Sequence, residues 1–534
     1  MENTEVQLKS GVLSLTPITG ELGFDKAKHL LNRCMFGARQ SEIEFMQNKT
    51  VDEALDFLLQ PPSEPLSPPI GVKSEDEEVP VGETWVNTKY NWRYKSYRRY
   101  SYNNWWIGRM HKQDVSLQEK MVLFWHNHFV IENDVVRNIN YNYRYNVLLN
   151  DFALGNFKTF AQEMTVNVGM LEYLDGVHNK VGAPNENYAR ELFELFTIGK
   201  GPLVEEGNYT NYTEHDIRQA AKVLTGWKTD SDTDTAYYRS YRHDKSQKTF
   251  SHIFENYTIT NKEEEEYKQL IHMIFLKKET ARYLVRKLYR WFVYYHIDEE
   301  IEQNIIEPLA NLFIENKFEI KPLLKTLLSS EHFFDDNLRG CMIKNPLEFT
   351  IGIIRQLEFP SPVGNDVVEQ YRYWNVINYR SANLGLELAD PPDVAGWPAW
   401  YLAPNYNQLW INTASIPNRA KIINYVVLWG IRPHKEYDKL YLDPFKLAYF
   451  ASDPSDINDL VPTFAKLLFP QPASDELITE LKDVLNQGLP DFEWTVEWNK
   501  YVNNPDDENQ KKAIANNLKG LLYKMCSMAE YQLI

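Results

Sequence analysis

Apolar residues spaced three and four apart recur along almost the whole chain, while alternating apolar and polar residues are scarce. That spacing lets a helix bury one stripe and solvate the rest, and it leaves little material for sheets. "FDKAKHLLNRCMFGA" and "RQSEIEFMQNKTVDEALDFLLQ" read as two short helices. "NNWWIGRMHKQDVSLQEKMVLFWHNHF" returns to helical spacing, with Asp114 or Ser116 as a cap and Glu119 as the capping-box partner. A helical run is expected to break at Gly155, and "NENYARELFELFTIGKG" is a helix stopped by Gly199 and Gly201. Thr213 and Asp216 form a capping box at the start of "YTEHDIRQAAKVLTGW". The expected fold is therefore mainly α, a large multi-helix fold with a minor β or irregular excursion around residues 228–261.

The domain reading follows from where this spacing lapses. Residues 1–62 are an N-terminal helical segment, and residues 63–90, rich in Pro and acids, form a linker or extended strap. Residues 91–425 make a helical core carrying polar clusters. Residues 426–534 form a C-terminal helical region packed on that core, unless all of these are one domain.

Charge narrows the partners. With 57 basic and 74 acidic residues the net charge is −17, and no long basic run offsets it. A phosphate backbone would be repelled, so nucleic acid is excluded as a partner and acidic lipid is disfavoured. Three distant cysteines, Cys34, Cys341 and Cys526, make neither a disulfide framework nor a metal knuckle. The first residues lack a basic stretch followed by an apolar one. No window of roughly 18 uninterrupted apolar residues marks a membrane span. The expectation is a soluble cytoplasmic protein. Aromatic residues reach 14%, enough to serve both an interior and a sugar-binding surface.

Three polar clusters carry the candidate chemistry. In "FWHNHF", His126 and His128 stand two apart. Within a helix their side chains point about 200° apart, so one ion could take both only where the helix breaks. Otherwise the rings are core and surface imidazoles. In "NENYARELFEL", Asn187, Glu191 and Glu194 share one helix face, and Arg190 pairs with Glu186 and Glu194 at helical spacing. Two carboxylates one turn apart facing imidazoles is how bundle metal sites are built, although Arg190 could equally neutralise them. In "YRHDKSQKTF", His243 beside Asp244 suits a ligand or a held general base, and Lys248 an anionic substrate group; a plain polar turn is the alternative. A fourth piece, "PPDVAGWPAW", places Trp397 and Trp400 near Asp393, either walling a pocket or packing a loop. Nucleotide-loop, nucleophile-elbow and HExxH signatures are all absent.

Taken in order, "AKHLLNRCMFGA", "EKMVLFWHNHFV", "MLEYLDG", "NENYARELFELFTIG", "YTEHDIRQAAKVLTGW", the "HD…KT" loop, "IKNPLEFTIG" and "PPDVAGWP" give the chain its resemblance to a large bacterial family, domain of unknown function 1800. The likeness runs from about residue 25 to the C-terminus. It implies that His126, His128, Asn185, Glu186, Asn187, Arg190, Glu191, Glu194, His243 and Asp244 belong to the family's polar clusters. It also implies a sulfatase-like partner protein, and export in company with that partner. One departure stands out: the family often has histidine where this chain has Phe196.

Two functions are carried forward. The first is a metal-dependent hydrolase. In it His126, His128, Glu191, His243 and Asp244 hold a divalent ion such as Zn, Mn or Fe, Glu186 or Glu194 acts as base, Arg190 orients the carboxylates and Lys248 binds an anionic group. The second is a non-catalytic glycan-binding or scaffolding protein acting with the secreted sulfatase-like partner.

Overall fold

The computed structural model describes residues 11–62 and 64–534; the start of the N-terminal segment, and with it the reading of a missing signal sequence over residues 1–10, lies outside the described residues, as does Ser63. The architecture is mainly helical, as expected. Two helices, Gln118–His128 and Pro346–Gln356, are buried along their whole length. A helix buried on every side must neutralise its own charges. Here Lys120 of one helix pairs with Glu348 of the other, in the middle of the molecule. Helix Lys95–Lys112 packs across Ile139–Asp151 on one side and Val367–Ala382 on the other. Its Gly108 lies flat under Trp374, whose ring would be 2.7 Å from any added Cβ.

Buried apolar residues from Leu22 to Tyr531 form one connected cluster. Segments near both ends of the described chain are tied to the rest of the fold. Ile18 N–H donates to Ser329 O at 2.9 Å, and Lys344 N–H donates to Gln532 O at 2.9 Å.

The two-helix reading at the start gives way to three helices: Gly23–Cys34, Gln40–Gln47 and Val51–Leu58. The extra boundary is a capping box that the spacing argument passed over. Thr50 accepts from Glu53 N–H at 3.4 Å, and the Glu53 carboxylate accepts from Thr50 N–H at 2.9 Å. The break at Gly155 stands, since one helix ends at Asp151 and the next starts at Phe157. The Thr213–Asp216 box also stands, with Asp216 Oδ2 accepting from Thr213 N–H at 2.8 Å. The cap expected for the "EKMVLFWHNHF" helix does not form. Ser116 Oγ only touches Gln118 N–H at 3.2 Å, and Glu119 turns instead to the Arg109 guanidinium.

The excursion around 228–261 holds two short antiparallel pairs, Trp227–Asp230 with Thr235–Tyr238 and Lys248–Thr249 with Thr258–Ile259. A third pair, Leu203–Glu205 with Asn208–Tyr209, lies earlier than expected. The Pro-rich segment runs as an extended strap, pinned where Trp105 Nε1–H donates to Ser67 O at 2.8 Å and Ser101 Oγ to Ile70 O at 2.6 Å. Among the described residues no helix is long and apolar enough to cross a membrane.

Candidate functional site

The helix bearing "FWHNHF" ends at His128, the break that the paired-imidazole reading required. Both histidines nevertheless stay within it, and their rings diverge. His126 sits among Trp106, Tyr145 and Trp397, whereas His128 sits among Phe124, Trp125, Phe157 and Phe196. The hydrogen bonds assign the tautomers. Tyr145 Oη gives its proton to Phe129 O at 2.5 Å, so it accepts from His126 Nδ1–H at 3.0 Å. Phe196 O can only accept, so His128 donates from Nε2–H at 3.0 Å. One lone pair remains buried and unpartnered on each ring, at His126 Nε2 and His128 Nδ1. Burial lowers the His126 imidazole to about 3, and burial, then the Lys287 charge, takes His128 well below its usual range. Both rings are neutral members of an aromatic core.

The acceptor for His128 is supplied by a helical irregularity. The helix that starts at Glu186 widens into a π-turn over Leu192–Thr197. Carbonyls at a helix C-terminus have no intrahelical partner, and Phe196 O finds one in His128. Phe196 is buried with its ring 6.3 Å from that of His128.

Arg190 forms a salt-bridge fork with Glu214 of the next helix, at 2.6 and 2.8 Å, and lies 3.7 Å from Glu186 and 3.8 Å from Glu194. Glu194 is further engaged by Lys200 at 2.9 Å and by the Tyr212 hydroxyl. The neutralising alternative therefore describes Glu186 and Glu194. Glu191 differs: burial, then the Glu194 carboxylate, raises its carboxyl above the usual range. Asn185 serves as the helix N-cap, accepting from Asn187 N–H at 2.9 Å.

The loop cluster is built more tightly than its sequence suggests. His243 Nδ1–H faces Thr225 O at 2.9 Å, and Nε2 faces Glu266 Oε1 at 3.1 Å. Lys248 Nζ donates to Glu266 Oε2 at 2.7 Å and to Asp244 O. The side chains of His243, Lys248 and Glu266 are completely buried. Burial works to raise the Glu266 carboxyl, but hydrogen bonds from His243 and Lys248 hold it below its usual range. Asp244 does not join them; its Oδ1 accepts from Ser246 N–H at 2.8 Å and caps the turn. Glu266 closes "KEEEEYK", where three neighbouring acids hide it from sequence reasoning.

The three clusters thus do not meet as one metal centre. Among the described residues no three His, Cys, Asp or Glu side chains are grouped to hold an ion. What does join two of the sequence motifs is Asn127, between the histidines. Its Oδ1 accepts from Trp397 N–H at 3.0 Å, and a Cβ on Gly396 (φ +94) would lie 2.2 Å from that oxygen. Trp397 and Trp400 pack the loop, and Asp393 accepts from Ala395 N–H and Tyr401 Oη–H, both at 2.7 Å.

A roomy cavity lies elsewhere, between the strap and the helices Lys95–Lys112 and Val367–Ala382, with a volume of about 820 Å³. Trp105, Tyr371 and Trp374 line it, together with Arg109, Glu119 and Asp151. Burial raises the carboxyls of both acids, countered at Glu119 by Arg109. Of these residues the sequence singled out only Glu119, and as a capping-box partner.

No curated protein and no solved structure matches the chain. Residues 29–533 do match a family, described as "Protein of unknown function (DUF1800)". That match spans nearly the whole chain, and the chain belongs to this family.

Proposed function

We propose that the chain is a glycan-binding protein whose ligand lies in the cleft beneath the strap. One observation carries this reading. An 820 Å³ cavity combines aromatic walls from Trp105, Tyr371 and Trp374 with amides and charges from Gln118, Gln370, Asp151 and Lys112. Sugar rings offer apolar faces to aromatic side chains and hydroxyls to amides and carboxylates, so this mixture is chemically matched to them. The sulfatase-like partner implied by the family resemblance would act on the same class of ligand. The test is a titration of neutral and acidic oligosaccharides followed by tryptophan fluorescence. Saturable binding that weakens at least tenfold in Gln370→Ala and Asp151→Ala, with unchanged melting temperature, supports the reading. No saturable response to any oligosaccharide overturns it.

A second reading, a metal-dependent hydrolase, draws on Glu191. Its carboxyl is half-buried, raised, and subject to the charges of Glu194 and Asp393. A divalent ion such as Zn, Mn or Fe would relieve that like-charge repulsion, whereas the His126 and His128 lone pairs lie in separate aromatic pockets. Elemental analysis of untagged protein separates the cases. Stoichiometric metal that is lost in Glu191→Gln favours the hydrolase, and metal-free protein that takes up none on titration removes it.

A further inference from the structure

Beside Asn127, at the opposite end of the same helix from Gln118 and Glu119, lies a small, partly open cavity of about 20 Å³. Its polar lining is dominated by donors. Lys287 and Arg290 project into it from adjacent turns of helix Lys278–Phe292, and no Asp or Glu lines it. Asn407, only 3% exposed, and Trp291, at 6%, also line it, and the Nδ2 donors of the one and the indole Nε1–H of the other have no hydrogen-bond partner. Arg290 is steered by Tyr295 O, which accepts from its Nε–H at 3.2 Å, and by the Tyr406 ring, whose centre lies 5.2 Å away. Among the described residues no acidic side chain counters the charge of Lys287. Burial, then the Arg290 guanidinium, pushes its ammonium down to about 7. Two neighbouring cations and two orphaned donors around one cavity are costly unless an anion joins them.

We infer that this cavity is a binding site for the carboxylate of a small organic acid, held by Lys287 and Arg290 and hydrogen-bonded by Asn407 Nδ2 and Trp291 Nε1. Size selects the group. A volume of about 20 Å³ suits a pair of carboxylate oxygens, since a cavity of roughly 10–15 Å³ on this measure holds one water. A tetrahedral oxyanion needs more room. The planar guanidinium of Arg290 adds a donor geometry matched to carboxylate. The site is distinct from the cleft beneath the strap, and neither reading depends on the other.

The test uses the full chain and three probes: sodium acetate, sodium glucuronate and inorganic phosphate, each titrated by calorimetry and thermal shift. Acetate is expected to bind saturably and raise the melting temperature, with at least tenfold weaker binding in Lys287→Met and in Asn407→Leu. Lys287→Met removes a half-buried cation that has no salt-bridge partner among the described residues, so it is expected to fold and melt no lower than the parent without ligand. Glucuronate binding tighter than acetate, through the same residues, would identify a sugar acid as the source of the carboxylate. Glucuronate no tighter than acetate would point to a simple organic acid. Absence of saturable binding by both carboxylates, equal binding of phosphate, or affinities unchanged in the two variants would each overturn the inference.

Discussion

Two buried histidine environments in this molecule solve opposite problems. Around His126 and His128 the core offers aromatic rings and one acceptor per imidazole, and the charged form is suppressed. Around His243 the core offers a carbonyl, a carboxylate and an ammonium, and charges are collected rather than excluded. The difference shows that burial alone does not determine what a histidine does. The partner at each ring nitrogen does, because a low-dielectric interior magnifies both a missing partner and a charged one.

The sharpest way to break the comparison is to remove the carboxylate at the charged site. Glu266→Leu leaves Lys248 buried without its counter-ion and is expected to cost about 3–5 kcal/mol in denaturant unfolding. Adding Lys248→Met should recover much of that loss, which a purely steric defect would not allow. The corresponding change at the neutral site, His128→Ala, is expected to cost about 3 kcal/mol. Its causes differ: a void among Phe124, Trp125 and Phe157, and an orphaned Phe196 carbonyl.

Acid titration sharpens the contrast further. The His126 pKa falls from an ordinary value near 6.5 to about 3 on folding. Below pH 6.5 the unfolded chain therefore binds a proton that the folded chain refuses. Stability from this group is complete above pH 6.5 and declines as the pH falls toward 3, by about 1.4 kcal/mol per pH unit. A His126→Asn variant should show a slope shallower by about that amount between pH 6 and pH 4, measured by unfolding at several pH values. An equal slope in parent and variant would mean that His126 is protonated in the fold. The smallest effect is expected at the Arg190 fork, whose partners are part-exposed. Arg190→Ala should lower stability by about 0.5–1 kcal/mol, and less at high salt.

Much of the helical layout was legible because it rests on local chemistry. The Thr213–Asp216 box, the break at Gly155 and the strand pairs near 228–261 each depend on residues within a few positions of one another. The Thr50–Glu53 box was equally local, and was missed because the apolar spacing ran through it. The candidate site was legible only in part. His243 and Lys248 were identified, but Glu266, their shared partner, stood in a run of four acids where no pattern distinguishes one from the next. Lys287 and Arg290 stood out in no motif, and only the loop carrying Trp400, Tyr406 and Asn407 makes them part of a cavity wall. His126 and His128 show the converse. Their spacing raised the question of a shared ion, and the helix carried on just far enough to point the rings into separate pockets.

By itself, then, the sequence determined that the chain is helical, where many of its helices begin and end, that its net charge is −17, and to which family it belongs. These follow from periodicity, capping and net charge, quantities that do not depend on which distant segments meet. Tertiary structure alone decided which polar residues are paired, which are orphaned and which line a cavity. The reason is physical: the cost of a buried charge or donor depends on atoms brought to it from elsewhere in the chain, as Glu266 is to His243 and Asn407 to Lys287.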